Sequence, residues 1–423
     1  LPTHTYVNDT VSDKKYDITI KGRLDAWGSN LLYTTETGGI ASADENSGYY
    51  TYRKYLTGLK RWGSLGAVKY GFSYCENLKY VSGDATEDTF KNTVTMHSMF
   101  LRCKSLESID LSNFDTANVK KMDFMFESCS KLTNLDLTSF ETTNVTHMGL
   151  MFQNCINLKT LDVSSFDTTN VIEMRLIFNA CNSLKTLNLQ NFNTSNVTTM
   201  NGMFRNCYEL IDLKIDTNKF NTSNVTRMES MFQGCRVLTS LDVSKFDTSK
   251  VTNMAWMFYD CRILESIDVS KFNTKNVTDM KYMFYGCGVI TNLNVNSFDT
   301  SNVKDMKGMF YNCRLLTSLN LNNFNTINVT DMANMFYSCS SLAVLDLNNF
   351  NTKNVTTMAD MFNDCSALEK LDISNFNTEQ VTAMYGMFNG CKKLEKLDEI
   401  HLERHRLLFK YGIKNGLIQK EKI

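Results

Sequence analysis

The chain predicts a right-handed α/β solenoid with one parallel β-sheet and a short helix in every repeat. Three observations carry this expectation. All 13 cysteines occupy one slot of a recurring unit, at Cys75, Cys103, Cys129, Cys155, Cys181, Cys207, Cys235, Cys261, Cys287, Cys313, Cys339, Cys365 and Cys391; ten of the twelve intervals are 26 residues and two are 28. All 23 methionines fall in two further slots of the same unit. Within each unit the spacing of apolar residues changes from threes and fours to twos. Self-similarity at a fixed period of roughly 20–50 residues marks a solenoid, in which each unit buries its apolar face only against its neighbours.

Residues 276–298 illustrate the elements in order. Val277, Met280, Met283, Phe284, Cys287 and Ile290 are apolar, and offsets of 3, 6, 7, 10 and 13 place them on one face of a short helix. Asn276 is suited to the N-cap, with Asp279 completing a pair like a capping box, and the pairing recurs at Asn302/Asp305, Asn328/Asp331 and Asn170/Glu173. Leu293 and Val295 then alternate as in a short strand. A turn follows at Phe298-Asp299-Thr300, where an aspartate or asparagine suits a bend. The strand Leu/Val, the turn Phe, both Met, the next Phe and the Cys are expected to fill the core as columns. Asn-Val-Thr at Asn144, Asn196, Asn224, Asn276, Asn328 and Asn354 matches the glycosylation pattern, but its locked phase favours a capping role.

Composition narrows the classes of function. The net charge is −1, from 44 basic and 45 acidic residues, and no stretch approaches the length of an apolar membrane span, so neither nucleic acid nor a membrane span is expected. The single proline is Pro2, outside the array, which leaves every repeat amide able to donate. The chain begins at Leu1 without a methionine, which suggests that a signal or leading domain has been removed. Equivalent cysteines in stacked repeats point the same way, whereas a disulfide needs converging Cβ vectors. They are therefore expected to form a column of buried free thiols, and one per repeat does not supply four zinc ligands.

The unit Phe-Asn-Thr-x-Asn-Val-Thr-x-Met-x-x-Met-Phe-x-x-Cys-x-x-Leu-x-x-Leu-Asp-Leu resembles the BspA-like leucine-rich-repeat surface proteins, from about Phe90 to Leu397. Leu56, Leu59, Trp62-Gly63 and Phe72-x-x-Cys75 look like a degenerate first unit, and Tyr16-Asp-Ile-Thr-Ile-Lys-Gly22 resembles the end of a PKD-like β-sandwich. The expected division is a β-rich remnant and linker over 1–55, a capping repeat over 56–89, the solenoid over 90–398 and a charged cap or tail over 399–423. The resemblance implies a bacterial cell-surface location, adhesion to an extracellular matrix or host-cell protein, and no catalytic residues. Ile177 replaces the second Met of its unit, Lys250 replaces the Asn, and the 207–235 unit has two extra residues near Thr217-Asn218.

Two surfaces are candidates for binding. One is the exposed sheet column Asp110, Asp136, Asp162, Asn188, Lys214, Asp242, Asp268, Asn294, Asn320, Asp346, Asp372 and Asp398, flanked by Ser112, Ser164, Ser244, Ser270 and Ser374. Neighbours in such a column are about 5 Å apart. Calcium between adjacent carboxylates is one reading of the column, and a solvated face that resists lateral aggregation is the other; no multidentate cage accompanies it, and no cofactor is expected. The second surface is local. Four consecutive units carry Tyr259, Tyr285, Tyr311 and Tyr337 after Met-Phe, with Arg236, Arg262 and Arg314 after the Cys, Val237, Ile263, Val289 and Leu315 beside them, and Trp256 and Tyr282 before the second Met. Tyr, Trp and Arg dominate interface energetics, and an apolar patch marks a contact site. Altered loop packing or recent duplication of one unit would produce the same pattern without binding. Leu150, Leu176 and Phe124 form a weaker apolar column in the slot of Trp256 and Tyr282.

Nothing resembles a catalytic constellation. Of His4, His97, His147, His401 and His405, only the last two have helical spacing, and His401-Leu-Glu-Arg-His405 is not a zinc-protease motif. The expected function is non-catalytic protein adhesion across the middle repeats, with glycan binding or a spacer without a ligand as alternatives.

Overall fold

The computed structural model describes residues 56–59, 71–85 and 87–394, and within them the repeat forms a solenoid of parallel-stacked turns. The segment over 1–55 expected to be β-rich, Trp62-Gly63 of the first unit, and the tail containing His401 and His405 lie outside the described residues. Short strands recur once per unit: β1 (Gly58–Leu59), β2 (Tyr80–Val81), then the single turn of helix α1 (Glu87–Phe90), then β3 (Ser108–Ile109), β4 (Asn134–Leu135), β5 (Thr160–Leu161), β6 (Thr186–Leu189) and β7 (Asp212–Ile215). All pairs are parallel. β1–β2–β3 form one sheet with Gly58 opposite Tyr80 and Tyr80 opposite Ser108, β4 pairs β5, and β6 pairs β7. Farther along, the same side of the solenoid keeps only single bridges, at Asn292–Ser318 and Val344–Lys370. The first unit, read as a cap, thus enters the sheet through β1, and the two-residue insertion of the 207–235 unit follows β7 as an Asp216 turn whose carboxylate accepts the Asn218 amide at 3.0 Å.

The expected helix of each repeat does not form, and α1 is the only helix among the described residues. The reason lies in where the amides donate. In the Met-x-x-Met-Phe-x-x-Cys segment alternate amides reach forward to the next repeat: Met280 to Asp305, Tyr282 to Lys307, Phe284 to Met309 and Gly286 to Tyr311, at 2.7–3.1 Å. The amides between them close three-residue turns, Met283 to Met280, Tyr285 to Tyr282 and Cys287 to Phe284. A right-handed helix is also excluded by two left-handed residues per repeat, such as Tyr282 at φ 56° and Gly286 at φ 72°. Apolar residues spaced by three arise from this run of tight turns as readily as from a helix.

A second parallel ladder runs through the residue before the first Met, continuously from Thr95 through Lys121, His147 and Glu173 to Asp331, Thr357 and Ala383. The Asn of Asn-Val-Thr has no helix to cap. Its Nδ2 instead donates to the preceding repeat, as in Asn276 to the Ser249 carbonyl at 2.7 Å and Asn302 to the Lys275 carbonyl at 2.8 Å. Lys250 preserves the link by a different route, its Nζ donating to Asn224 Oδ1 at 2.7 Å. The Asp279, Asp305 and Asp331 carboxylates, expected to complete the cap, accept the amide two residues on.

The core columns form as expected. Both Met slots, the following Phe, the Cys and the turn Phe are buried throughout the described array, and the strand Leu/Val/Ile are buried except Leu59, Ile109, Leu213 and Ile215, which are half-buried against the core. The Phe after Met stacks from Phe72 to Phe388 without interruption, with centroids 5.4–6.1 Å apart. Each such aromatic contributes about 1.5–3 kcal/mol on burial. All the cysteines are free and buried, and from Cys103 onward each Sγ donates to the Phe carbonyl of the preceding repeat, as in Cys287 to Phe258 at 3.2 Å. A third buried column is polar: Thr300 Oγ1 donates to the Asn325 carbonyl at 3.0 Å and accepts the Asn325 amide at 2.8 Å.

Two measurements test this account. Thr300→Val strands a buried carbonyl and amide, so it should cost about 2 kcal/mol in urea unfolding, while Thr300→Ser should cost much less. The thiol column makes stability sensitive to alkali. Burial raises the thiols of Cys155, Cys207, Cys261 and Cys313 from 9.0 to about 12. A thiol is neutral when protonated, so its contribution is complete below pH 9.0 and is lost as pH rises toward about 12. The urea midpoint should therefore fall over that window, less steeply in a Cys207→Ala, Cys261→Ala variant, and native protein at neutral pH should resist thiol reagents.

Candidate partner-binding groove

The axial ladder sets the geometry of the middle repeats. Tyr259, Tyr285 and Tyr311 each donate their amide to the residue three before, and their carbonyls accept from Gly234, Asp260 and Gly286 of the preceding repeat at 2.6–2.7 Å. The side chains are thereby held one above another. The Tyr259–Tyr285–Tyr311–Tyr337 rings stack with centroids 4.3, 4.4 and 4.5 Å apart and planes within 7°, 14° and 4°. Each is half-buried, and because ring covers ring, the stack presents edges to solvent rather than faces.

Trp256 and Tyr282 form a second aromatic column alongside. Their planes are 20° apart with centroids at 6.4 Å, and Tyr282 meets Tyr259 and Tyr285 edge to face at 83° and 76°. The Tyr282 plane therefore runs along the ladder instead of across it. Gln233, Trp256, Tyr259, Tyr282, Tyr285, Tyr311 and Asn334 line an open groove of about 440 Å³ along the two columns. Burial, followed by the neighbouring Tyr285, to which each is hydrogen-bonded, pushes the Tyr259 and Tyr311 hydroxyls up to about 12.

The slot of Trp256 and Tyr282 is a strained one. Both adopt φ 56°, where Gly202, Gly308 and Gly386 stand in other repeats. A bulky residue in the left-handed region costs about 1–2 kcal/mol. Leu150 and Leu176 share the slot and the conformation. Gly308 has a role that sequence spacing does not reveal: a methyl on its Cα would collide with the Tyr282 ring, so the absent side chain is the bed on which that ring lies. The signal available in the sequence was the recurrence of Gly, Asn and Asp in this slot and immediately before Cys, which is what a positive φ selects.

The arginines are engaged within the chain. Arg236 Nε and Arg262 Nε both donate to Asp260, at 2.9 and 2.8 Å, and Arg314 Nε donates to Asn312 Oδ1 at 2.6 Å. Arg236 also lies over the Tyr208 ring at 4.1 Å. They edge the site instead of lining it. Ile263 and Leu315 are exposed at 39% and 46%, whereas Val237 and Val289 are half-buried. Beside Tyr282 runs Asp279–Asp305–Asp331, part of the second ladder. Lys281 Nζ is 3.0 Å from Asp279 and 3.8 Å from Asp305, and 4.7 Å from the Trp256 ring centre. Burial raises the Asp305 carboxyl, with Asp279 and Asp331 adding to the effect.

The aspartates of the sheet column are occupied locally. Asp110, Asp136, Asp162, Asp242 and Asp268 each accept the amide two residues on at 2.9–3.0 Å. Hydrogen bonds from the hydroxyls of Ser164, Ser244 and Ser270, and then from the amides, hold Asp162, Asp242 and Asp268 below the usual carboxylate range; for Asp110 and Asp136 the amide bond leads and the Ser112 or Thr138 hydroxyl follows. Among the described residues no three His, Cys, Asp or Glu are grouped to hold a metal ion, and no helix is long and apolar enough to cross a membrane.

Gly308→Ala should displace Tyr282, lower stability by about 1–2 kcal/mol in urea unfolding and change the near-ultraviolet circular dichroism of the aromatic columns. Gly83→Ala, remote from the groove, should leave that aromatic signal unchanged.

No curated protein matches the chain. Among solved structures it is similar to a leucine-rich repeat protein from Bacteroides ovatus, at 17% identity and TM-score 0.44, over 81% of this chain and 84% of that one. A leucine-rich repeat protein from Eubacterium ventriosum gives 15% identity and TM-score 0.42, over 83% and 87% of the two chains. A leucine rich cell surface protein from Faecalibacterium prausnitzii gives 19% identity and TM-score 0.39, over 77% and 81%. At these scores no function passes from them to this chain. A family model described as "Mycoplasma protein of unknown function, DUF285" matches residues 76–161, 130–212, 209–318 and 316–405. Those four overlapping stretches take in all but the two ends, and the chain belongs to the DUF285 family.

Proposed function

We propose that this chain is a non-catalytic binding scaffold, displayed at a bacterial cell surface, that holds a protein partner in the groove of its middle repeats. The observation that carries the reading is an open groove along a tyrosine column of four consecutive repeats and the shorter Trp256–Tyr282 column beside it, in a tyrosine slot where no other repeat has an aromatic residue. Aromatic side chains that stay half-exposed at a strain cost are better explained by contact than by packing. Trp256 and Tyr282 are the anchors, the tyrosine edges supply hydroxyl donors, and Ile263 and Leu315 extend the apolar surface. Arg236, Arg262 and Arg314 form a rim, each with donors left over after its internal bond. The extracellular location and adhesive role follow from the resemblance of the repeat unit to BspA-like surface proteins. Glycan binding is the second reading, but rings stacked at 4.3–4.5 Å leave no space for a sugar between them.

A solid-phase screen against matrix proteins and a glycan array tests the proposal. The Tyr259→Ser, Tyr285→Ser, Tyr311→Ser, Tyr337→Ser variant, shown to be folded by circular dichroism, should lose a bound protein by about tenfold or more. Equal binding by both proteins would remove the groove from the account. Binding by neither would favour a spacer without a ligand.

A further inference from the structure

The groove is periodic and asymmetric, and these two properties constrain its occupant. Its wall repeats at 4.3–4.5 Å along the ladder. A polyproline II chain has three residues per turn and returns the same face after about 9 Å, close to two steps of the tyrosine ladder. A β-strand returns a face after about 6.7 Å, which falls between one step and two. An α-helix rises about 4.5 Å in three residues, but three is short of its 3.6-residue turn, so successive side chains drift off a straight ladder.

The chemistry of the lining agrees. Polyproline II chains have no internal hydrogen bonds, so their carbonyls face outward and need donors. The edge-on tyrosine wall provides a row of hydroxyls, and Gln233 and Asn334 stand at its two ends. Proline rings pack on aromatic surface, and Trp256 and Tyr282 stay half-exposed, the one with Lys281 over its ring and the other with the tyrosine edges against it. That side carries Asp279, Asp305 and Asp331, with Lys281 3.0 Å from Asp279 and 3.8 Å from Asp305 and Lys307 beside the Tyr282 hydroxyl, so Asp331 is the one of the three without a lysine ion pair among the described residues. Asp331 is half-buried and its carboxylate is bonded to the Ala333 amide at 2.8 Å. A basic residue in the ligand would complement this acidic side.

Resting on the binding reading above, we infer that the groove takes an extended proline-rich peptide in the polyproline II conformation, with prolines against Trp256 and Tyr282, carbonyls toward Tyr259, Tyr285 and Tyr311, and a basic side chain toward Asp305 and Asp331. The partner protein is then one that exposes such a segment, and affinity depends on the segment rather than on the partner's fold.

Fluorescence polarisation with three labelled peptides tests this: decaproline, decaproline followed by arginine, and a Gly-Ser peptide of equal length followed by arginine. Decaproline-arginine should bind saturably, and removing the arginine should weaken it about threefold, a difference that fades with added salt. Tyr282→Ala and Tyr285→Ala should each weaken it by about tenfold. Tyr285→Phe, which keeps the ring and removes the hydroxyl to which Tyr259 and Tyr311 are bonded, should cost about threefold. Asp305→Asn should abolish the advantage of arginine, and the remote exposed Tyr385→Ala should change nothing. Urea midpoints identify any variant whose loss is one of folding, and Tyr285→Phe then carries the test. Equal binding of the Gly-Ser-arginine peptide would reduce the site to charge and overturn the inference. Decaproline binding that survives the tyrosine changes, or no binding of either proline peptide, would overturn it as well. If the peptides fail while the tyrosine variant still loses a protein in the screen, the groove stands and its occupant is of another kind; failure of both removes the groove.

Discussion

The structure depends on the alternate amides that leave their own repeat and donate to the next. From Met96 to the last described units, every second amide of the Met-x-x-Met-Phe-x-x-Cys segment is spent this way. That choice forbids a helix, because an amide that reaches forward along the axis cannot close a bond four residues back. It also sets one repeat above the next at the spacing of paired strands, so that each side chain stands on its own counterpart. The buried threonine hydroxyls donate forward with the amides, and the Asn side chains and the cysteine thiols donate back, so every one of these bonds joins repeat to repeat along the same axis. Sheet strands two residues long are enough under these conditions, since they form only one of several axial ladders.

Standing like on like makes columns cooperative for apolar and neutral groups and unfavourable for charge. Methionine, phenylalanine and cysteine stack without penalty, and the phenylalanine column is continuous through the core. Acidic columns persist where each carboxylate has a local partner. The sheet aspartates bond the amide two residues on, and Asp279 and Asp305 share Lys281. Asp305 is the place where the compensation is incomplete, since burial and two like-charged neighbours all raise its carboxyl. The same arrangement keeps the thiols protonated and inert, as nothing cationic approaches them inside the core.

The middle repeats use the ladder differently. Tyrosine in a half-exposed slot becomes a stack whose edges form a wall, and the strained slot beside it supplies Trp256 and Tyr282. A left-handed backbone aims these side chains across the repeat boundary, and Gly308 leaves the space into which Tyr282 leans. The groove is thus built from three consecutive settings of one slot, Trp, Tyr and Gly, rather than from a loop added to the scaffold.

Much of this was legible in the residues, and the misses have a common cause. Periodicity alone determined the solenoid, the parallel stacking, the buried free cysteines and the columns that form the core, because a fixed period leaves no other way for each unit to bury its apolar face. It also singled out the tyrosine, tryptophan and arginine slots. It misassigned the turn segment as a helix and Asn276 and its equivalents as caps, since spacing by three is shared by a helix and by a run of three-residue turns. Only the tertiary structure decided between them, because the deciding hydrogen bonds join residues 25–29 apart, as in Thr300 to Asn325 and Cys287 to Phe258. For the same reason it alone turned the arginines inward to Asp260 and Asn312, crossed the Tyr282 ring against the tyrosine wall and opened the groove along the two columns: contacts across a repeat boundary depend on side-chain direction, which the order of residues along the chain does not specify.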